Sequence, residues 1–179
     1  MRQNCRFPLQ WFRTLAILCA AQWPALGLLP PEAVSVAESD RYRTTMRDAT
    51  ELVVFEGLPH QMWESDQLEA ELKRSDTTKI WNYPFYTPGV AATNAYDLKV
   101  LLGSQASIRP YGGGKLCGGY HPDFCVSWTV KSITYYVQVC FGCDEIVFYN
   151  GATHLKYDMA EGLNEKLRAA LKPYAKKRP

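Results

Sequence analysis

The stretch from Asp123 to Phe141 constrains the fold more than any other. "PDFCVSWTV" and "ITYYVQVCF" flank Lys131-Ser132. A two-residue turn there sets Phe124 opposite Val139, Val126 opposite Val137 and Trp128 opposite Tyr135. In that register Phe124, Val126, Trp128 and Val130 share one face with Ile133, Tyr135, Val137, Val139 and Phe141. A slip of one residue would send one strand's apolar side chains to the opposite face, so the match specifies an antiparallel hairpin. The turn lacks Asn-Gly, which leaves its type open. The other face carries His121, Asp123, Cys125 and Ser127, then Thr134, Tyr136, Gln138 and Cys140.

Around this hairpin the pattern predicts an α+β fold, a mainly antiparallel sheet packed by two or three helices. Residues 50–60 read as a short β-run ended by Gly57 and Pro59. Residues 64–75 read as a helix capped by Ser65 or Asp66, with Leu68 and Leu72 on one face. The aromatic, proline-broken stretch 80–89 reads as an irregular segment or edge strand. Residues 93–104 form a second helix with Thr93 as N-cap, and 144–151 a third strand. Met159, Leu163, Leu167, Leu171 and Tyr174 recur at helical spacing, with Asp158 and Glu161 as a capping-box pair. That stripe is read as the face of a C-terminal helix covering the sheet.

The first 27 residues read differently. Arg2, Arg6 and Arg13 precede an apolar run, and Ala25-Leu26-Gly27 offers a small-residue cleavage site, the pattern of a secretory leader. An uncleaved N-terminal membrane anchor is the alternative. Leu18 precedes Cys19 where a lipoprotein would carry a small residue. The expected organisation is therefore a signal peptide over 1–27, a flexible linker over 28–48, one domain over 49–174 and a basic tail over 175–179. Three of the 20 basic residues leave with the leader, so 17 remain against 18 acidic ones. Near neutrality speaks against a nucleic-acid partner. The body has no apolar run long enough to span a membrane.

Without the leader the cysteines are Cys117, Cys125, Cys140 and Cys143. Cys117-x3-His121 and Cys140-x2-Cys143 are two close pairs with the spacing of a Cys3His zinc site, which needs four tetrahedral ligands. Asp123, His60 and Cys125 are accessory candidates, Asp123 as a partner orienting the His121 imidazole. An even number of cysteines in an oxidising compartment supports two disulfides instead, with Cys125–Cys140 a plausible diagonal pair. Cys140-Cys143 as a redox dithiol is disfavoured by Asp144 and Glu145, which would raise its thiol pKa. An enzyme would need an open metal position and a base such as His60 or Glu56. "GGGK" lacks the P-loop spacing, and no G-x-S-x-G occurs. The residues thus leave open a metal-binding structural or binding module, a disulfide-stapled extracytoplasmic binding module and a metal-dependent enzyme.

At "FEGLPH" (55–60), "KLCGGYHPD" (115–123) and "CFGCDEI" (140–146) the chain resembles a family of uncharacterised exported or lipoprotein-like bacterial proteins of planctomycete type. The likeness covers residues 50–174. It implies no assigned activity. It implies that Cys117, His121, Cys140 and Cys143 belong to the family pattern while Cys125 lies outside it, which suits a metal site better than two disulfides.

Overall fold

Among the described residues nine short strands and four α-helices build the fold, and the central hairpin forms in the register its alternation demands. The computed structural model describes residues 31–74, 76–175 and 177–178, with side chains from residue 38 onward. The leader expected over 1–27 lies outside the described residues. In chain order the elements are α1 (Pro31–Asp48), β1 (Val53–Glu56), α2 (Ser65–Leu72), β2 (Thr77–Ile80), β3 (Tyr83–Tyr86), β4 (Val90–Ala91), α3 (Ala95–Gly103), β5 (Ile108–Pro110), β6 (Phe124–Val130), β7 (Ile133–Cys140), β8 (Glu145–Tyr149), β9 (His154–Met159) and α4 (Leu163–Leu171). One antiparallel sheet runs β4-β1-β6-β7-β8-β9-β5, and β2-β3 form a separate hairpin. The fold is α+β.

β6 and β7 pair Phe124 with Val139, Val126 with Val137 and Trp128 with Tyr135. Their turn places Lys131 at φ 50° and Ser132 at φ 65°. Two consecutive positive φ values define a type I′ turn, whose twist suits a two-residue hairpin even without Asn-Gly.

The apolar face of the sheet packs under three helices. Tyr42 and Met46 of α1, Leu98 and Leu102 of α3, and Leu163, Leu167 and Leu171 of α4 join Val54, Val126, Trp128, Val137, Val139, Ile146 and Phe148 in one buried cluster. The other face is covered too. Ile80 and Phe85 of the β2–β3 hairpin pack on Cys125, and the buried Gln138 amide donates to the Ile80 carbonyl at 3.1 Å. The stretch read as an irregular segment or edge strand thus contains β3, which pairs with β2 in a hairpin that covers the sheet's second side.

Several elements differ from the sequence expectation. Residues 31–48 form a helix, where a flexible linker was expected. Among the side chains described from residue 38 onward, its apolar Tyr42 and Met46 reach the core, and both are fully buried. Residues 154–159 form β9, so Met159 enters the core from a strand and α4 begins at Leu163 behind Gly162. Asp158 does not cap that helix but pairs with Lys115 at 2.9 Å. α2 buries none of its residues, and Leu72 stands 51% exposed. Thr93 does not cap α3 either. Asn94 holds that position, and the Thr93 N–H donates to the Tyr174 hydroxyl at 2.9 Å. No described helix is long and apolar enough to cross a membrane.

Candidate functional site

The three motifs converge at one end of the sheet, where β1 and β7 finish and β6 begins. Gly57 permits the approach. Its N–H donates to the Asp123 carbonyl at 2.7 Å, and a Cβ there would come within 2.1 Å of the Pro122 carbonyl oxygen. Only glycine lets the two backbones lie this close. Gly118, at φ +80°, likewise faces the Trp63 indole, which a Cβ would meet at 2.6 Å. These glycines bring the 57–64 loop against the 117–123 loop.

The chain leaves β7 at Cys140, turns through Phe141–Gly142, and brings Cys143 back beneath the second loop. Asp144, at φ 53°, carries the positive φ that ends the turn. Cys117 and Cys143 form a disulfide, with Cα atoms 5.6 Å apart. Cys140 and Cys125 are free thiols, both buried. Cys125 and Cys140 are therefore not joined to each other. Of the four residues expected as zinc ligands, Cys117 and Cys143 are paired in the disulfide, while His121 and the Cys140 thiol stand outside that bond as unbonded side chains. Among the described residues, no cluster of three or more His, Cys, Asp or Glu side chains has metal-binding geometry.

Cys125 lies away from the site. It is fully buried under the β2–β3 hairpin, and burial pushes its thiol pKa far up. Cys140 belongs to the site. Burial raises its pKa, while the main-chain N–H groups of His121 and Cys143, aimed at its sulfur, pull the other way.

His121 and His60 stand together, their rings 4.7 Å apart. His60 Nδ1 accepts from the Met62 N–H at 3.0 Å. Nε2 of His121 is buried without a hydrogen-bond partner. Burial lowers the His121 pKa from 6.5 to about 4, against the opposing pull of Asp123. The ring is therefore neutral at pH 7, with at least one nitrogen able to accept. Because the folded pKa is depressed, the His121 contribution to stability is complete above about pH 6.5 and is lost as pH falls through about 4. Histidine NMR across that range is expected to show one imidazole titrating near the lower value. Titration of all three histidines near the ordinary value would contradict this.

Asp123, expected to orient the His121 imidazole, also has partners of its own. Its carboxylate accepts from the Phe141 N–H at 2.7 Å and from Arg178 at 3.1 Å. Arg178 also pairs with Glu64. Burial works to raise the Glu64 pKa, but the His60 N–H and Arg178 together hold it below the usual carboxylate range. Glu56 is engaged by the same segment. It accepts from the Lys177 N–H at 2.7 Å and the Arg178 N–H at 3.3 Å, and it does not line the histidine cleft. The basic tail, ordinarily a solvated terminus, is thus docked into the site. Its partners lie 114 and 55 residues away, and no local pattern announces them. Arg178→Ala should cost about 1 kcal/mol of stability, read by thermal unfolding, with a smaller difference at high salt. An unchanged melting temperature at low salt would show that the contact contributes nothing.

Two concavities meet at the histidines. The larger, about 520 Å³, is lined by His60, Asn82, Tyr83, Tyr120, His121 and Pro122, among others. The smaller, about 220 Å³, is lined by His60, Glu64, Cys117, His121, Cys140 and Arg178, among others. A cluster of ion pairs holds the intervening loop to the sheet: Lys115 to Asp158, and Lys156 to the buried Glu145 at 2.8 Å. Comparison with protein-family models, curated proteins and solved structures found no match.

Proposed function

We propose that this is an exported, extracytoplasmic binding module closed by the Cys117–Cys143 disulfide, with its ligand site in the 520 Å³ cleft at His60, Tyr83, Tyr120 and His121. The observation that carries the reading is a pair of orphaned polar atoms. Tyr120 Oη and His121 Nε2 are both buried without partners, and both residues line this cleft. Buried polar groups are nearly always satisfied, so two at one concavity favour a ligand that satisfies them. No aspartate, glutamate, lysine or arginine lines the cleft, and Tyr83, Met62, Leu68 and three prolines supply apolar surface. The chemistry suits a small uncharged ligand with one flat apolar side and hydrogen-bonding groups at its edge.

The disulfide supports an oxidising compartment, where such bonds persist. The metal reading needs Cys117 and Cys143 as thiolates. Thiol counting under denaturing conditions, with metal analysis of the same sample, separates the two. Counted over Cys117, Cys125, Cys140 and Cys143, the expected result is two free thiols, at Cys125 and Cys140, and no stoichiometric zinc. Four free thiols with one equivalent of zinc would overturn the stapled-module reading. For the cleft, a fragment screen by protein-observed NMR should move the His60, Tyr120 and His121 resonances together. Binding confined to other surfaces would remove the cleft assignment.

A further inference from the structure

The Cys117–Cys143 disulfide has a third sulfur beside it. Cys117 and Cys140 line the same 220 Å³ pocket. Cys140 lies three residues before Cys143 around the Phe141–Gly142 turn, and the Cys143 N–H is directed at its sulfur. A Cβ at Gly142 would meet nothing within 4 Å, so the turn has room to adjust. We propose that Cys117, Cys140 and Cys143 form a three-cysteine thiol–disulfide exchange site, with Cys140 as the internal nucleophile toward Cys143.

The step is an isomerisation. The Cys140 thiolate attacks Sγ of Cys143, a Cys140–Cys143 bond forms and the Cys117–Cys143 bond breaks. Cys117 leaves as a thiolate and takes up the proton that Cys140 gave up. No external oxidant or reductant enters, because one disulfide and one thiol stand on each side.

The two halves of the disulfide differ in what holds them. Cys140 ends β7, paired with Glu145 of β8, so the Cys140–Cys143 half is anchored to the sheet. Cys117 lies in "YGGGKLCGG", is partly exposed, and is flanked by Gly113, Gly114 and Gly119, where added side chains would meet nothing. Exchange would release the loop and leave the sheet intact. Glu145 and Asp123 add to the upward push of burial on the Cys140 pKa, so exchange is expected at alkaline pH. Asp144 is bonded by Asn164, and Glu145 is ion-paired with Lys156. Cys125 takes no part, since it is sealed in the opposite cluster.

The inference rests on the disulfide and not on the identity of a cleft ligand. The test uses the full oxidised chain at pH 8, alkylated in the native state with N-ethylmaleimide, quenched in acid and mapped by mass spectrometry. Exchange predicts two species, Cys117–Cys143 with alkylated Cys140 and Cys140–Cys143 with alkylated Cys117. Cys140→Ser should abolish Cys117 alkylation. Cys117→Ser, treated with oxidised glutathione, should yield the Cys140–Cys143 bond. A wild-type chain that shows only Cys117–Cys143 pairing at every time point overturns the proposal without needing any variant to fold. Alkylation of Cys117, Cys140 and Cys143 in the same molecule would instead remove the disulfide itself, and with it both this inference and the stapled-module reading.

Discussion

Trp128→Ala is expected to lower the unfolding free energy by about 3–5 kcal/mol, the range for truncating a large buried aromatic. Trp128 is 2% exposed in the middle of β6. Its ring stacks on Tyr135 across the hairpin at a centroid distance of 5.7 Å, and its indole N–H donates to Thr45 of α1 at 3.1 Å. The substitution therefore removes packing within the sheet and a polar tie to the first helix together. Domains of this size are stable by about 5–15 kcal/mol, so the loss consumes a large share. Trp128→Phe keeps most of the volume and loses the hydrogen bond, and should cost about 1 kcal/mol beyond the volume change. Urea unfolding of both variants checks the ordering. A cost below about 1 kcal/mol for the alanine would mean that the hairpin is not the centre of the core.

The second large effect lies at the disulfide. Replacing Cys117 and Cys143 together by alanine should cost about 3.5 kcal/mol, the loop-closure entropy for 26 residues. The same variant should leave the β6–β7 core packed, because no sheet pairing depends on Cys117. The unfolding transition should move while near-ultraviolet circular dichroism of the core aromatics stays close to the parent. Loss of that aromatic signal at low denaturant would show that the disulfide holds more than a loop. Reduction of the native protein provides an independent route to the same comparison.

The legible part of this chain is the part governed by alternation. The β6–β7 register could be read directly, since two apolar faces coincide in one register and in no neighbouring one. α1 was not legible because Tyr42 and Met46, which reach the core, stand in the otherwise polar run 38–48. β9 was hidden by coincidence. Met159 stands four residues before Leu163, so a strand residue completed a helical stripe that α4 itself begins one turn later. The site divides the same way. Glycines at 57 and 118 were visible in the motifs, but that they let two loops meet and set His60 beside His121 was not. The pairing of the cysteines was open because connectivity depends on how loops close, which spacing alone does not determine. The docking of Arg178 on Glu64 and Asp123 was invisible for a similar reason, being a long-range contact between three loops.

The packing of α1 also bears on the order in which the protein can fold. This helix comes early in the chain, yet its anchors lie far along it. The Tyr42 hydroxyl is within hydrogen-bond distance of Thr153, 111 residues away, and Thr45 receives the Trp128 indole from 83 residues away. Neither partner is available until most of the chain has been synthesised. Contacts of such separation slow folding, because chain closure must precede the gain. The helix can therefore complete its part of the core only after both Trp128 and Thr153 are in place, so the N-terminal layer of the fold closes late.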